Sequence, residues 1–345
     1  SPYTKLLTSL SLLLGTAIAI SSNHWAMAWT GLEINTLAII PLISKSHHPR
    51  AIEASIKYFL VQATASTLLL FSSTTNAWSS GQWDITQMTH PTSCLILTSA
   101  IAMKLGLVPF HFWFPEVLQG APLTTALLLS TLMKLPPLAL LLLTSHSLNP
   151  TLLATMAISS AALGGWMGLN QTQIRKILAF SSISHLGWMI AIILYSPKLT
   201  LLTFCLYTTM ITTVFMAFNM TKATSLSTMM ISWTKAPMLN TTLMLTLLSL
   251  AGLPPLTGFL PKWLILQELT NQELTLEALT IAMLSLLGLF FYLRLAYHAT
   301  ITLPPNPSTH IKQWHIINRT NTTIAILTSM SISLLPLSPM MSATI

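Results

Sequence analysis

Long apolar runs alternate with short polar breaks along the whole chain. Eleven apolar segments stand out, at about residues 4–20, 25–43, 51–76, 93–114, 121–143, 151–169, 175–195, 199–220, 238–267, 276–298 and 322–341. A helix needs roughly 20 apolar residues to cross a bilayer. The breaks carry turn residues, among them Ser21-Ser22-Asn23, His48-Pro49-Arg50, Ser147-Leu148-Asn149-Pro150, Asn170-Gln171 and Ser196-Pro197. Strands are excluded, because the runs are too long and an open sheet edge cannot lie in lipid. The pattern predicts an all-α polytopic membrane protein of 11 transmembrane helices, forming a single transmembrane domain over 1–345.

Eleven crossings put the two termini on opposite sides. Lys5, Lys45, Arg50, Lys57, Arg175, Lys176, Lys222, Lys235, Arg294, Lys312 and Arg319 then share the side of the N-terminus. The other side holds Lys198, with Asp84, Glu268, Glu273 and Glu277. This asymmetry is the positive-inside pattern, so the N-terminus is expected to face the compartment of synthesis. Adding or removing one central helix would scramble it.

Composition agrees. Of 345 residues only 6% are charged, and mean hydropathy is +0.69. A soluble domain carries about 25% charge, and disordered chains are poor in apolar residues. The formal net charge of +8 is read as loop charge that orients helices, not as a nucleic-acid surface. An apolar run beginning near Leu6, with no Arg-rich leader before it, predicts no cleavable presequence. Cys94 and Cys205 cannot by themselves ligate an iron–sulfur cluster, which usually takes four Cys. The chain has no CxxC, GxGxxG, GxxxxGK[ST] or HExxH. His47 and His48 lie beside Lys45 and Arg50 in an expected loop and lack the further ligands of a metal site.

Four charges fit neither surface. Glu33 lies in WTGLEINTLAII, Lys104 in TSAIAMKLGLVPF, Lys134 in LLLSTLMKLPPLALLLL and Lys262 in LTGFLPKWLILQ. A lone charge at bilayer depth costs about 2.5–3.5 kcal/mol even on lenient scales. One explanation is a structural ion pair, Glu33 with a lysine, plus two lysines that snorkel to an interface. Snorkelling requires a start near a helix end, and Lys134 lies about a dozen residues from either end of its segment. One acid cannot neutralise three lysines. A buried lysine that can give up its proton is easier to keep, and such a group is a proton carrier. The proton-relay reading of Glu33, Lys104, Lys134 and Lys262 is therefore preferred. His185 in SSISHLGWM and His111 in VPFHFW are further candidates, because the intrinsic pKa of histidine is near neutrality, against the alternative of satisfied core histidines. His24 is expected at an interface.

Two of these lysines accompany an internal repeat. Residues 106–116 read GLVPFHFWFPE and residues 252–262 read GLPPLTGFLPK. Without gaps, Gly106 aligns with Gly252, Leu107 with Leu253, Pro109 with Pro255 and Pro115 with Pro261. Proline and glycine within a span interrupt the backbone ladder. The motifs fall in segments four and nine, which cross in opposite directions, as in an inverted repeat with paired broken helices.

At this point the chain resembles the subunit 2 family of respiratory complex I, NADH:ubiquinone oxidoreductase. The resemblance is carried by SSNHWAMAWTGLEINTLAIIPLI, HHPRAIEASIKYFLVQATAS, AMKLGLVPFHFWFPEVLQG, LGGWMGLNQTQIRKILAFSSISHLGWM and LAGLPPLTGFLPKWLILQEL, and it weakens after about residue 300. It implies an antiporter-like fold of two inverted five-helix bundles with broken helices 4 and 9. The first bundle would cover about 1–143, the second about 151–298, and the last helix about 322–341. It implies an acid at Glu33, a lysine on the broken helix at Lys104, a bridging lysine at Lys134 and a lysine on the second broken helix at Lys262. His185 alone fills the place where relatives carry a central histidine.

The resemblance further implies proton translocation across the inner mitochondrial membrane, coupled to electron transfer from NADH to ubiquinone in other subunits. No cofactor is expected in this chain; NADH, FMN, iron–sulfur clusters and ubiquinone belong to the rest of the complex. Expected partners are other complex I subunits, especially neighbouring membrane-arm and antiporter-like subunits, and membrane lipids; no nucleic acid is expected. The N-terminus is expected on the matrix side and the C-terminus on the intermembrane-space side, with the polar stretch 304–321 on the matrix side. In the expected mechanism Glu33 pairs with Lys104, and weakening that pair sends a proton toward Lys134, with Lys262 serving the second half. The alternatives are a stand-alone cation/proton antiporter and a purely structural membrane-arm subunit.

Overall fold

The computed structural model describes residues 2–232, 237–300 and 322–337. Lys235, Lys312, Arg319, the stretch 304–321 and the end of the last segment at 338–341 lie outside the described residues. Among the described residues the chain is helical, and the only β-type pairings are two isolated bridges, His24 with Asp84 and Gln173 with Ser225. Among the described residues seven helices are long and apolar enough to cross a membrane, and three shorter helices are also apolar.

The chain packs as two compact units, Ser1–Ser160 and Ala161–Ile345. Unit 1 contains α1 (Pro2–Ser21), α2 (Trp25–Ile43), α3 (Pro49–Ser80), α4 (Pro91–Leu105), α5 (Trp113–Gly120), α6 (Leu123–Ser130) and α7 (Leu135–Leu143). The division falls inside α8 (Pro150–Gly168), not in the break before it. Unit 2 continues with α9 (Ile174–Ile192), α10 (Pro197–Thr221), α11 (Leu226–Ser232), α12 (Pro237–Ala251), α13 (Phe259–Asn271), α14 (Thr275–Thr300) and α15 (Thr322–Ser333).

Local chemistry explains the helix ends. Proline occupies the first turn of α3, α4 and α10, where its missing N–H has no intrahelical partner to lose. The His48 ring accepts from the Arg50 amide at 3.2 Å and caps α3. That is a structural role for half of the His47-His48 pair. Within the helices, hydroxyls fold back onto carbonyls three residues earlier, as in Ser72 to Leu69 (2.7 Å) and Thr213 to Met210 (2.6 Å). This lets an apolar span carry Ser and Thr in place of charge.

The expected fourth segment (93–114) is two helices, α4 and α5, joined by residues 106–112, and it runs on to Gly120. The expected ninth segment (238–267) is likewise α12 and α13, joined by residues 252–258. The fifth segment (121–143) is also not one regular helix. It bends at Thr131 (φ −118°, ψ −78°) and passes through a 3-10 turn, Leu132–Lys134, before α7. Pro136 and Pro137 supply no amide to the carbonyls one turn back, so the α ladder cannot run through.

Candidate functional site

Every mid-segment lysine lies where a helix ladder is interrupted. Lys104 is in the last turn of α4, Lys134 ends the 3-10 turn, and Lys262 is in the first turn of α13. Such breaks leave carbonyls without their usual amide donors, and the C-terminal end of a helix attracts a cation. Of the three, Lys262 is the one whose ammonium reaches such a carbonyl, Ala251 O at the end of α12.

In unit 1, Lys104 and Lys134 line one cavity, at 6% and 2% exposure. The cavity offers about 20 Å³ to the centre of a water molecule, room for about one water. Tyr58, Gln62 and Asn35 add polar atoms to its wall. The Lys134 ammonium lies 4.7 Å from the centre of the Phe114 ring, within cation–π range. The Lys104 ammonium has no hydrogen-bond partner among the described residues. The carbonyls at the end of α4 are met by neutral donors instead: Trp113 Nε1 donates to Met103 O at 3.1 Å, and Gln62 Nε2 donates to Lys104 O at 3.4 Å.

Glu33 is half-buried on α2. Among the described residues its carboxylate makes no ion pair within 4.0 Å, and one of its oxygens is buried without a hydrogen bond. The expected direct Glu33–Lys104 pair is thus corrected: among the described residues the two groups form no ion pair. Hydropathy fixes the depth of a residue but not its direction around the helix. His111 is buried in the 106–112 turn with its ring 4.2 Å from that of Phe112, and it lines neither cavity described here.

In unit 2, Lys262 and His185 line a second cavity with Trp188, Ser285 and Tyr292, again with about 20 Å³ for a water centre. Lys262 reaches back to the end of α12 and donates to Ala251 O at 2.7 Å. Its ammonium lies 5.8 Å from the Trp188 ring centre. The His185 ring packs on Tyr207 at 5.3 Å, and its Nε2 is 3.5 Å from the Tyr292 hydroxyl.

The structure thus brings Lys104 to Lys134 within unit 1 and Lys262 to His185 within unit 2. Sequence reasoning missed Gln62, Trp113, Phe114, Trp188, Tyr207 and Tyr292, because each becomes polar wall or cation platform only through tertiary packing. Pro136-Pro137 was a visible signal for the irregular turn at Lys134. Among the described residues no three His, Cys, Asp or Glu side chains come together as a metal site needs. The arrangement sets ammonium groups, and in unit 2 an imidazole, around cavities that each have room for about one water.

The chain resembles known membrane proteins along its length. Residues 22–288 match the family described as NADH:quinone oxidoreductase/Mrp antiporter, TM, and residues 289–342 match NADH dehydrogenase subunit 2 C-terminus. The chain is 75% identical over 345 residues, all of both chains, to NADH-ubiquinone oxidoreductase chain 2 of Struthio camelus. It is 74% identical over the same full span to that of Coturnix japonica. A chain of respiratory complex I from Thermus thermophilus with bound aureothin matches at TM-score 0.82 and 25% identity, over 96% of this chain and 79% of that one. A chain of an Mrp complex from a Dietzia species matches at TM-score 0.80 and 15% identity, over 97% and 75%, which shows a shared fold. The chain belongs to the NADH:quinone oxidoreductase/Mrp antiporter family of membrane subunits and, within it, to the subunit 2 group of NADH-ubiquinone oxidoreductase.

Proposed function

We propose that this chain is the membrane-arm subunit through which respiratory complex I moves protons across the inner mitochondrial membrane, driven by electron transfer from NADH to ubiquinone in other subunits. The observation that carries the reading is the burial of Lys104, Lys134 and Lys262 at interrupted helices beside small polar cavities. A scaffold gains nothing from three such ammonium groups, since each costs about 2.5–3.5 kcal/mol at bilayer depth.

In this reading the chain makes eleven crossings in two inverted five-helix bundles, with the fourth and ninth segments broken at 106–112 and 252–258. The N-terminus faces the matrix and the C-terminus the intermembrane space, as the positive-inside asymmetry requires. NADH, FMN, iron–sulfur clusters and ubiquinone stay with other subunits. Glu33 biases Lys104 through its field. A change in that field, driven from the quinone-reducing part of the complex, lets Lys104 pass its proton through cavity water toward Lys134. Lys262 and His185 perform the corresponding transfer in the second half. Moving one charge against 100 mV requires about 2.3 kcal/mol, within reach of a changed interaction in a poorly screened site.

The test is Lys104→Met in the assembled complex. Proton yield per NADH oxidised is expected to fall while electron transfer from NADH to an artificial acceptor persists. A normal proton yield would leave the scaffold role standing in its place.

A further inference from the structure

The turn at 252–258 carries a tie that the relay reading does not use. Thr257 is buried, and its hydroxyl donates to Ser331 O on α15. Ser72 and Thr213 donate to carbonyls three residues earlier in their own helices, whereas Thr257 reaches a carbonyl 74 residues away. α15 ends at Ser333, so the Ser331 carbonyl is among the last four of its helix, which have no amide partner within it. A threonine hydroxyl has one proton to donate, and here it closes the end of a different helix. α15 packs against α10 and α12, with Ile324, Thr328 and Ser331 on its buried side.

Thr257 stands at the entrance to α13, the helix whose first turn bears Lys262. The Thr257 carbonyl accepts from the Leu260 amide at 3.2 Å, within that first turn. The next residue, Gly258, lies so close to the Ser249 carbonyl that no side chain fits between them. The turn therefore rests on the last turn of α12 and is held by its threonine to the end of α15. From this support Lys262 reaches back to Ala251 O at 2.7 Å. Lys262 and Ala251 both line the cavity of unit 2, and Thr257 does not. The gap-free equivalent of Thr257 in the first break is His111, so the hydroxyl belongs to the second copy.

We propose that Thr257 is a positioning residue for proton transfer in unit 2: its hydroxyl fastens the turn at 252–258 to the end of α15, and so fixes where α13 begins and whether Lys262 meets Ala251 O beside its cavity. The inference rests on the relay reading above and adds the last helix to its second half. Ser331 lies in 289–342, the stretch that matches NADH dehydrogenase subunit 2 C-terminus, and outside the 22–288 match to the wider family. The C-terminal helix then acts as a brace for the second lysine, beyond anchoring the chain.

The experiment is Thr257→Val in the assembled complex, which replaces the hydroxyl by a methyl and keeps the branched shape. Samples are matched for abundance, so that a merely structural role would leave proton yield per NADH oxidised where it was. NADH oxidation by an artificial acceptor is expected to be unchanged. Proton yield is expected to fall, by less than in Lys262→Met, because losing one hydrogen bond shifts the placement of Lys262 about twofold to tenfold and does not remove the ammonium. Thr257→Ser, which keeps the hydroxyl, should restore the parent yield. On a Lys262→Met background Thr257→Val should add no further loss of yield, since it acts through that lysine. A normal yield in Thr257→Val, no restoration by Thr257→Ser, or additive losses in the double variant would overturn the proposal. Should Thr257→Val fail to assemble, Thr257→Cys leaves only a weak donor at the same place, and its yield is read in the same way. Lys262→Met alone separates the two levels. If it lowers proton yield while Thr257→Val does nothing, only the role of Thr257 falls; if it leaves proton yield intact, the relay reading falls with it.

Discussion

The two interrupted helices use the same backbone device and finish it differently. α4 and α12 are each 15 residues long, each ends one residue before a glycine in the left-handed region (Gly106 φ +74°, Gly252 φ +82°), and each is followed by a seven-residue turn. In unit 1 the exposed carbonyls of the first half-helix are met by Trp113 and Gln62, and the Lys104 ammonium makes no hydrogen bond with the described residues. In unit 2 the ammonium of Lys262 itself meets Ala251 O. The gap-free equivalent of Lys262 is Glu116, which instead accepts from Lys57 at 2.6 Å on an exposed face. A repeat can thus preserve a helix break while holding its charge in one copy and leaving it loose in the other. The loose one suits a group that must respond to a distant field.

The largest expected difference between the copies concerns backbone approach. A Cβ at Gly258 would fall inside the Ser249 carbonyl, whereas its repeat equivalent is Phe112, 65% exposed. Gly258→Ala should cost more than about 3 kcal/mol, in the range of severe overpacking, and deplete the assembled complex on native gels. Phe112→Ala should leave its abundance near normal. Equal abundance of the two variants would mean that the turns at 106–112 and 252–258 are packed alike.

The next contrast separates anchoring from function. Lys262→Met strips Ala251 O of its donor and should destabilise the complex by about 1–3 kcal/mol. Lys104→Met removes an ammonium with no hydrogen bond to lose, so its thermal inactivation should match the parent or come later. Both variants should lose proton yield. A Lys104→Met complex that is the less thermostable of the two would show that Lys104 is the anchored lysine.

The glycines divide the copies more finely. Gly106→Ala and Gly252→Ala should each lose about 1–2 kcal/mol for a side chain in the left-handed region. A Cβ at Gly252 also comes within 2.9 Å of Lys262 Cδ and Nζ, while at Gly106 the nearest atom is 3.4 Å away. Gly252→Ala should therefore lower proton yield in addition to stability, and Gly106→Ala stability alone. Proton-yield measurements on complexes matched for abundance would decide.

Much of this was legible in one dimension. The apolar runs mark the helices, and the rarity of charge makes Glu33, Lys104, Lys134 and Lys262 conspicuous. The repeated Gly and Pro positions locate both breaks. What local pattern cannot carry is direction and partnership. Gln62 meets a carbonyl 42 residues away, and nothing in the residues around it announces that. Lys262 lies ten residues beyond Gly252, yet the seven-residue turn brings the first turn of α13 back to the end of α12, so a lysine of one half-helix closes the other. Pro136-Pro137 is legible but lies inside a continuous apolar segment, and apolarity and helical regularity are separate properties. The expected mechanism pairs Glu33 with Lys104, and only packing shows that no ion pair forms between them.

The smallest expected effect tests the claim that unit 1 closes its break with neutral groups. Trp113→Phe keeps an aromatic ring beside Tyr58, whose ring centre is 5.8 Å away, and removes the N–H that reaches Met103 O. Gln62 still serves the next carbonyl. The loss should be about 0.5–1.5 kcal/mol, one neutral hydrogen bond, visible as a modestly earlier thermal inactivation. Proton yield should not change, because the lysine that carries charge is not the group that closes the helix end here. The matching change in unit 2, Lys262→Met, alters both quantities at once. If Trp113→Phe reduced proton yield with no change in thermal inactivation, the Met103 carbonyl would have drawn Lys104 into the vacated place, and the first break would have become a copy of the second.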